Sequence, residues 1–115
     1  MNKIVARIKK EFSKTPDLII KEININLFNT IYVLYLETVS GSNKVNDYIL
    51  KNLIASKNKI NKYNLKSYLA GPNTKKIDNP DKIEYFLTNG FSIVILGDII
   101  WGIETRADIN RSVSN

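Results

Sequence analysis

Asp78, Asp81 and Glu84 are the densest group of acids in this chain. Two carboxylates in different environments, facing one cleft, can divide general-acid and general-base work. These three instead surround a helix start. Asn79 is an N-cap residue type, Pro80 suits the first helical position, and acids there face the positive end of the helix dipole. Capping accounts for all three, and no catalytic pair is assigned. The 115 residues include no histidine and no cysteine. The commonest general base, the commonest metal ligand, thiol nucleophiles, disulfides and zinc–cysteine sites are therefore excluded. A carboxylate-only metal or glycosidase site is the arrangement this composition leaves open. Gly41, Gly71, Gly90, Gly97 and Gly102 stand apart, so no glycine-rich loop surrounds a phosphate. The chain reads as non-enzymatic, with no cofactor and no metal.

Binding chemistry is better represented. The net charge is +6, which suits nucleic acid or an anionic membrane. Lysine, asparagine and isoleucine are abundant together, however, as an AT-rich genome produces, and this lowers the weight of the lysine count. Lys3, Arg7, Lys10 and Lys14 fall on one side of a helix and form a candidate membrane-facing basic stripe; an ordinary solvated face is the plainer reading. Tyr32 and Tyr35 sit in one strand beside basic residues elsewhere, a pattern that single-strand binders use for base stacking. Their spacing of three points them to opposite faces, and their apolar neighbours favour core packing. Trp101, in a hairpin strand, is a candidate partner anchor.

These residues need elements to hold them. Asn2 to Lys14 reads as a helix, with Ile4, Ile8, Phe12 and Val5 on its apolar side and Pro16 ending it. Leu18 to Ile25 alternates as a strand: Leu18, Ile20 and Glu22 face one way, Ile19, Lys21, Ile23 and Ile25 the other. Phe28-Asn29 is the expected turn. Ile31 to Leu36 is continuously apolar or aromatic, so it is expected to be covered on both faces and to form the sheet centre. A second helix is expected from Lys44 to Ala55, capped from the loop Ser40–Asn43. Residues 56–78 are hard to read, with a short strand near Lys66–Leu69 or Lys75–Ile77. A third helix begins at Asn79-Pro80-Asp81 and stops at Asn89-Gly90. Ser92–Leu96 and Ile99–Arg106 form a hairpin around Gly97-Asp98.

The fold class is therefore α/β (α+β), one domain over 1–115, with a mixed sheet of about four or five strands packed against about three helices. The longest apolar stretch, Phe91 to Ile103, is interrupted by Asp98 and falls short of the roughly 20 residues of a spanning helix. No signal peptide is read at the N-terminus.

Four segments in order resemble the A subunit of spore germinant receptors, the GerA family. Glu11-Phe12-Ser13-Lys14-Thr15-Pro16-Asp17-Leu18-Ile19-Ile20-Lys21-Glu22-Ile23 is similar to that family's opening helix end and strand. Val45-Asn46-Asp47-Tyr48-Ile49-Leu50-Lys51-Asn52-Leu53-Ile54 resembles its second helix. Leu87-Thr88-Asn89-Gly90 through Ile99 resembles its hairpin, and Arg111-Ser112-Val113-Ser114 its Arg-x-Val run. The chain departs at Ala107-Asp108, where the family often has Gly-Trp, at Asn115, and across Ser56–Asp78. The resemblance implies the first part of a soluble N-terminal region, on the cytoplasmic side of the spore inner membrane. The rest of the subunit, with its membrane helices, would follow. It implies receptor B and C subunits and a small nutrient germinant as partners, and a role in sensing or signal coupling. Trp101, Arg106 and Arg111 are then the expected contacts to the rest of the receptor, and the basic stripe the expected membrane contact. A small basic nucleic-acid-binding module is the alternative.

Overall fold

The computed structural model describes residues 2–108. Helix α1, Lys3–Glu11, starts where the Asn2 side chain accepts hydrogen bonds from the backbone N–H groups of Ile4 and Val5. It buries Val5 and Ile8, with Phe12 capping its end. The helix stops before Lys14, so Ser13 and Lys14 form the turn that leads to Pro16. Strands β1 (Leu18–Asn24) and β2 (Thr30–Leu36) form an antiparallel hairpin in which Leu18 faces Leu36 and Asn24 faces Thr30.

Helix α2 covers residues 42–55. It is α-helical at Ser42–Val45, widens to a π segment at Asn46–Leu50 and returns to α at Lys51–Ala55. Within it the Tyr48 carbonyl accepts from Ala70 N–H at 2.9 Å, which fastens the following loop to the helix. That loop is ordered by its own side chains. Asn61 Oδ1 accepts from the N–H of Tyr63 and Asn64, while Asn64 Oδ1 accepts from Asn61 N–H. These Asx turns carry the chain through short 3-10 turns at Lys57–Lys59 and Leu65–Tyr68. The lysines point outward, and Ile60, Leu65 and Leu69 are buried.

Strand β3, Thr74–Lys76, is the second of the two positions considered from sequence. Helix α3 opens with a 3-10 turn at Pro80–Lys82 and continues as Ile83–Thr88. Asn79 caps it by accepting from Asp81 N–H at 3.0 Å. Strands β4 (Phe91–Leu96) and β5 (Ile99–Glu104) turn at Gly97, whose φ of 62° is the conformation a glycine-first two-residue turn requires.

All strand pairs are antiparallel, in the order β1-β2-β4-β5-β3. The middle position therefore belongs to β4, with β2 beside it. Both strands are apolar on both sides because both sheet faces are covered. Val5, Ile8, Ile83 and Leu87 of α1 and α3 pack on one face with Leu34, Ile93 and Ile95. Val45, Ile49 and Leu53 of α2, with Ile60, Leu65 and Leu69, pack on the other with Val33, Val94 and Ile103. The result is three layers with the sheet in the middle. Each such aliphatic side chain contributes roughly 1.5–3 kcal/mol on burial.

This architecture removes the basis for base stacking on the sheet. Tyr32 lies in the α1–α3 layer and Tyr35 in the α2 layer, both buried. The opposite orientations expected from their spacing hold, but neither ring is available to a base.

Candidate functional site

The richest set of polar contacts lies where β5 runs out. Thr105 follows the last residue of β5, and its hydroxyl is fully buried. It lies 2.7 Å from Ser92 Oγ, 3.1 Å from Ser40 Oγ and 3.3 Å from the Gly90 carbonyl. Ser40 belongs to the loop before α2, Ser92 to β4 and Gly90 to the end of α3. One threonine thus ties three parts of the fold together at this edge. The backbone repeats the pattern. Gly41 N–H donates to Thr105 O at 2.7 Å, and Thr105 N–H donates to Gly90 O at 2.9 Å.

Arg106 comes next and is exposed. Its Nε and Nη2 both donate to the Asn89 carbonyl, at 3.2 and 2.9 Å. The last turn of α3 presents free carbonyls and the negative end of its dipole, so a cation there is favourable. Glu104 lies 3.7 Å away on the other side. Lys44, from the first turn of α2, donates to the Arg106 carbonyl at 2.9 Å and to Asp108 Oδ1 at 2.7 Å. The Asp108 carboxylate holds the Lys44 ammonium above the usual lysine pKa. Two open hollows flank Arg106. One, of about 410 Å³, is bordered by Lys44, Tyr48, Pro72 and Glu104; the other, of about 370 Å³, by Thr38, Val39, Thr88 and Asn89.

The residues singled out from sequence do not form one site. Trp101 is half-buried on the α2 side of β5, with Lys66 and Lys76 ammonium groups 5.5 and 5.6 Å from its ring centre, within cation–π range. It borders neither hollow beside Arg106. Arg111 lies outside the described residues. Lys3, Arg7 and Lys10 are exposed along α1, and Lys14 is exposed beyond its end. Arg7 is engaged with Asp81 at 3.1 Å, so the basic stripe is partly neutralised. That pair also gives Asp81 a structural role, tying the first turn of α3 to α1. Among the described residues no three acidic side chains come together in a way that could hold a metal ion. The Ser40–Ser92–Thr105 cluster was missed in the sequence. Small hydroxyl residues scattered along a chain carry no signal until strand pairing brings them together.

Fold and site together define a three-layer α+β domain in which polar contacts clamp Thr105 and Arg106 to the loop before α2, to β4 and to the end of α3. The family model described as Bacillus/Clostridium GerA spore germination protein matches residues 6–115, and the chain belongs to that family. The fold is also similar to the crystal structure of the N-terminal domain of the A subunit of the Bacillus megaterium spore germinant receptor GerK3, with a TM-score of 0.68 and 21% identity. The match covers 90% of this chain and 45% of that one, so the chain spans less than half the length of that domain. The search of curated proteins found no match. Among the described residues no helix is long and apolar enough to cross a membrane.

Proposed function

We propose that this chain is the first part of the soluble N-terminal region of a spore germinant receptor A subunit. On this reading it is a non-enzymatic coupling element on the cytoplasmic side of the spore inner membrane. The family match over residues 6–115 carries the reading. The remaining part of the A subunit, the B and C subunits and a nutrient germinant are its partners. Coupling is favoured over nutrient capture by the shape of the surface. The hollows beside Arg106 are open, whereas small-molecule sites enclose most of their ligand. The Thr105 clamp and the Arg106–Asn89 contact hold this end of the described residues firmly to the fold, the kind of anchoring that supports a domain meant to feel a shift between two receptor arrangements.

The test is germination itself. Arg106→Glu, placed in the complete subunit in spores, reverses the charge beside the α3 carbonyls. It is expected to slow nutrient-triggered loss of optical density at an unchanged receptor level. Normal germination with Arg106→Glu would count against coupling through this face. A heteronuclear NMR titration of the chain with amino acids, nucleosides and sugars covers the sensing role. Saturable shifts with one nutrient would make it a sensing domain instead.

A further inference from the structure

The β1–β2 hairpin ends in two large apolar side chains held in water. Leu27 is 95% exposed and Phe28 is 90% exposed. The turn that presents them is built. Asn26 Oδ1 accepts from Phe28 N–H at 2.9 Å, from Asn29 N–H at 3.0 Å and from Asn29 Nδ2 at 3.1 Å. Just below, Thr30 Oγ1 donates to Asn24 Oδ1 at 2.8 Å. Single exposed apolar residues are ordinary, but an adjacent pair lifted clear of the surface by an ordered turn asks for an apolar environment.

The surroundings of the tip are basic. One hollow beside it runs from Asn24, Ile25 and Leu27 to Lys57 and Asn58; another runs from Asn26 and Asn29 to Asn61 and Lys62. Lys59 lies between them in the chain, and Lys57, Lys59 and Lys62 are all exposed. The Lys62 ammonium stands 5.4 Å from the ring centre of Tyr63, which is 87% exposed. On the other side Phe28 borders Asn2, the α1 cap, and Lys3 follows it in the open. No carboxylate lines these hollows, though Glu22 stands on β1 two residues before Asn24.

We propose that this hairpin tip is a membrane-contact site. Leu27 and Phe28 enter the boundary between headgroups and acyl chains of an anionic bilayer. Lys57, Lys59 and Lys62 meet the lipid phosphates, and Tyr63 sits at headgroup level. Apolar insertion and phosphate attraction each give weak binding alone and act together here. The α1 stripe is the poorer contact, because Arg7 is already paired with Asp81 and none of the most exposed apolar side chains stands on α1.

The experiment is co-sedimentation of the 115-residue chain with phosphatidylcholine vesicles, with and without added phosphatidylglycerol. Binding is expected only with phosphatidylglycerol. Leu27→Ser with Phe28→Ser, and separately Lys57→Glu with Lys59→Glu and Lys62→Glu, should each weaken it about tenfold or more. Lys10→Glu with Lys14→Glu should change it less than about twofold. Phe28→Trp in a Trp101→Phe background should shift its emission to the blue on anionic vesicles. Absence of binding to anionic vesicles overturns the proposal. So does binding that survives the polar tip, or an emission that stays at its aqueous position. Self-association lost with the polar tip, in a chain that ignores vesicles, would assign the tip to a protein partner and equally overturn it.

Discussion

Gly90 and Arg106 are in direct backbone-to-side-chain contact: a Cβ built on Gly90 would meet Arg106 Cβ at 2.8 Å and its Cα at 3.1 Å. Gly90 also has a φ of 84°, which side-chain-bearing residues rarely adopt. The same residue ends α3, accepts from Thr105 and lets Arg106 reach Asn89. Gly90→Ala therefore combines strain with collision and is expected to cost about 2 kcal/mol, or roughly 8 °C in Tm. Gly97→Ala has a φ of 62° to overcome but open space around it, and should cost about 1 kcal/mol. Thermal unfolding followed by circular dichroism ranks the two. Equal losses would show that contact with Arg106 adds nothing.

The buried hydroxyl cluster predicts a non-additive pair. Thr105→Val keeps the shape of the side chain but removes the partner of Ser92, which has no exposure. An unsatisfied buried hydroxyl costs about 1–3 kcal/mol. Adding Ser92→Ala removes the orphaned group, so the double variant should be no less stable than Thr105→Val. Urea unfolding of both single variants and of the double checks this. A simple sum of the single losses would mean that the cluster is wet or loosely held.

Two ion-linked contacts predict opposite pH behaviour. The Thr38 hydroxyl donates to the Asp17 carboxylate, and this bond holds the Asp17 pKa below its ordinary value. A depressed carboxyl pKa stabilises the fold above the unfolded value of about 3.9 and loses that effect as pH falls through the folded value. Lys44 is raised, chiefly by its hydrogen bond to Asp108. Its contribution is full below the unfolded value of about 10.4 and is lost as pH rises through the folded one. Thr38→Val should thus return the Asp17 titration, read by carboxyl carbon NMR, toward normal. The stability gap between wild type and Thr38→Val should close in acid, and that between wild type and Lys44→Met in alkali. A gap that stays constant with pH would remove the ionic origin.

Much of this fold could be read from local signals. Asn79-Pro80-Asp81, Asn89-Gly90 and Gly97-Asp98 each specify a backbone event, and all three occur in place. The alternation in β1 separates Leu18 and Ile20 from Ile19, Ile23 and Ile25, and the two sets enter different layers. What escaped depends on partners distant in sequence. Thr74–Lys76 is a strand only because β5 offers it an edge. The loop after α2 looked polar because its three buried anchors, Ile60, Leu65 and Leu69, follow no helical or strand period. The π segment of α2 has no residue signature of its own. The clamp at Thr105 needs four segments to meet, and Leu27–Phe28 became notable only once their exposure was known.

Ile93 and Val94 are neighbours in β4 and both fully buried, yet they serve different layers. Ile93 packs with the α1–α3 side, Val94 with the α2 side. Removing either side chain leaves a cavity that the surrounding sheet cannot close. Ile93→Ala is expected to cost about 3 kcal/mol and Val94→Ala about 2 kcal/mol. Both are large fractions of the 5–15 kcal/mol typical of a domain. The two losses should also be felt in different places. Hydrogen exchange should quicken first in α1 and α3 for Ile93→Ala, and first in α2 and the 56–73 loop for Val94→Ala, because a helix that loses its anchor opens before the sheet does. Identical exchange patterns would show that the layers unfold as one unit. Distinct patterns would mean that α2 can loosen while α1 and α3 stay packed.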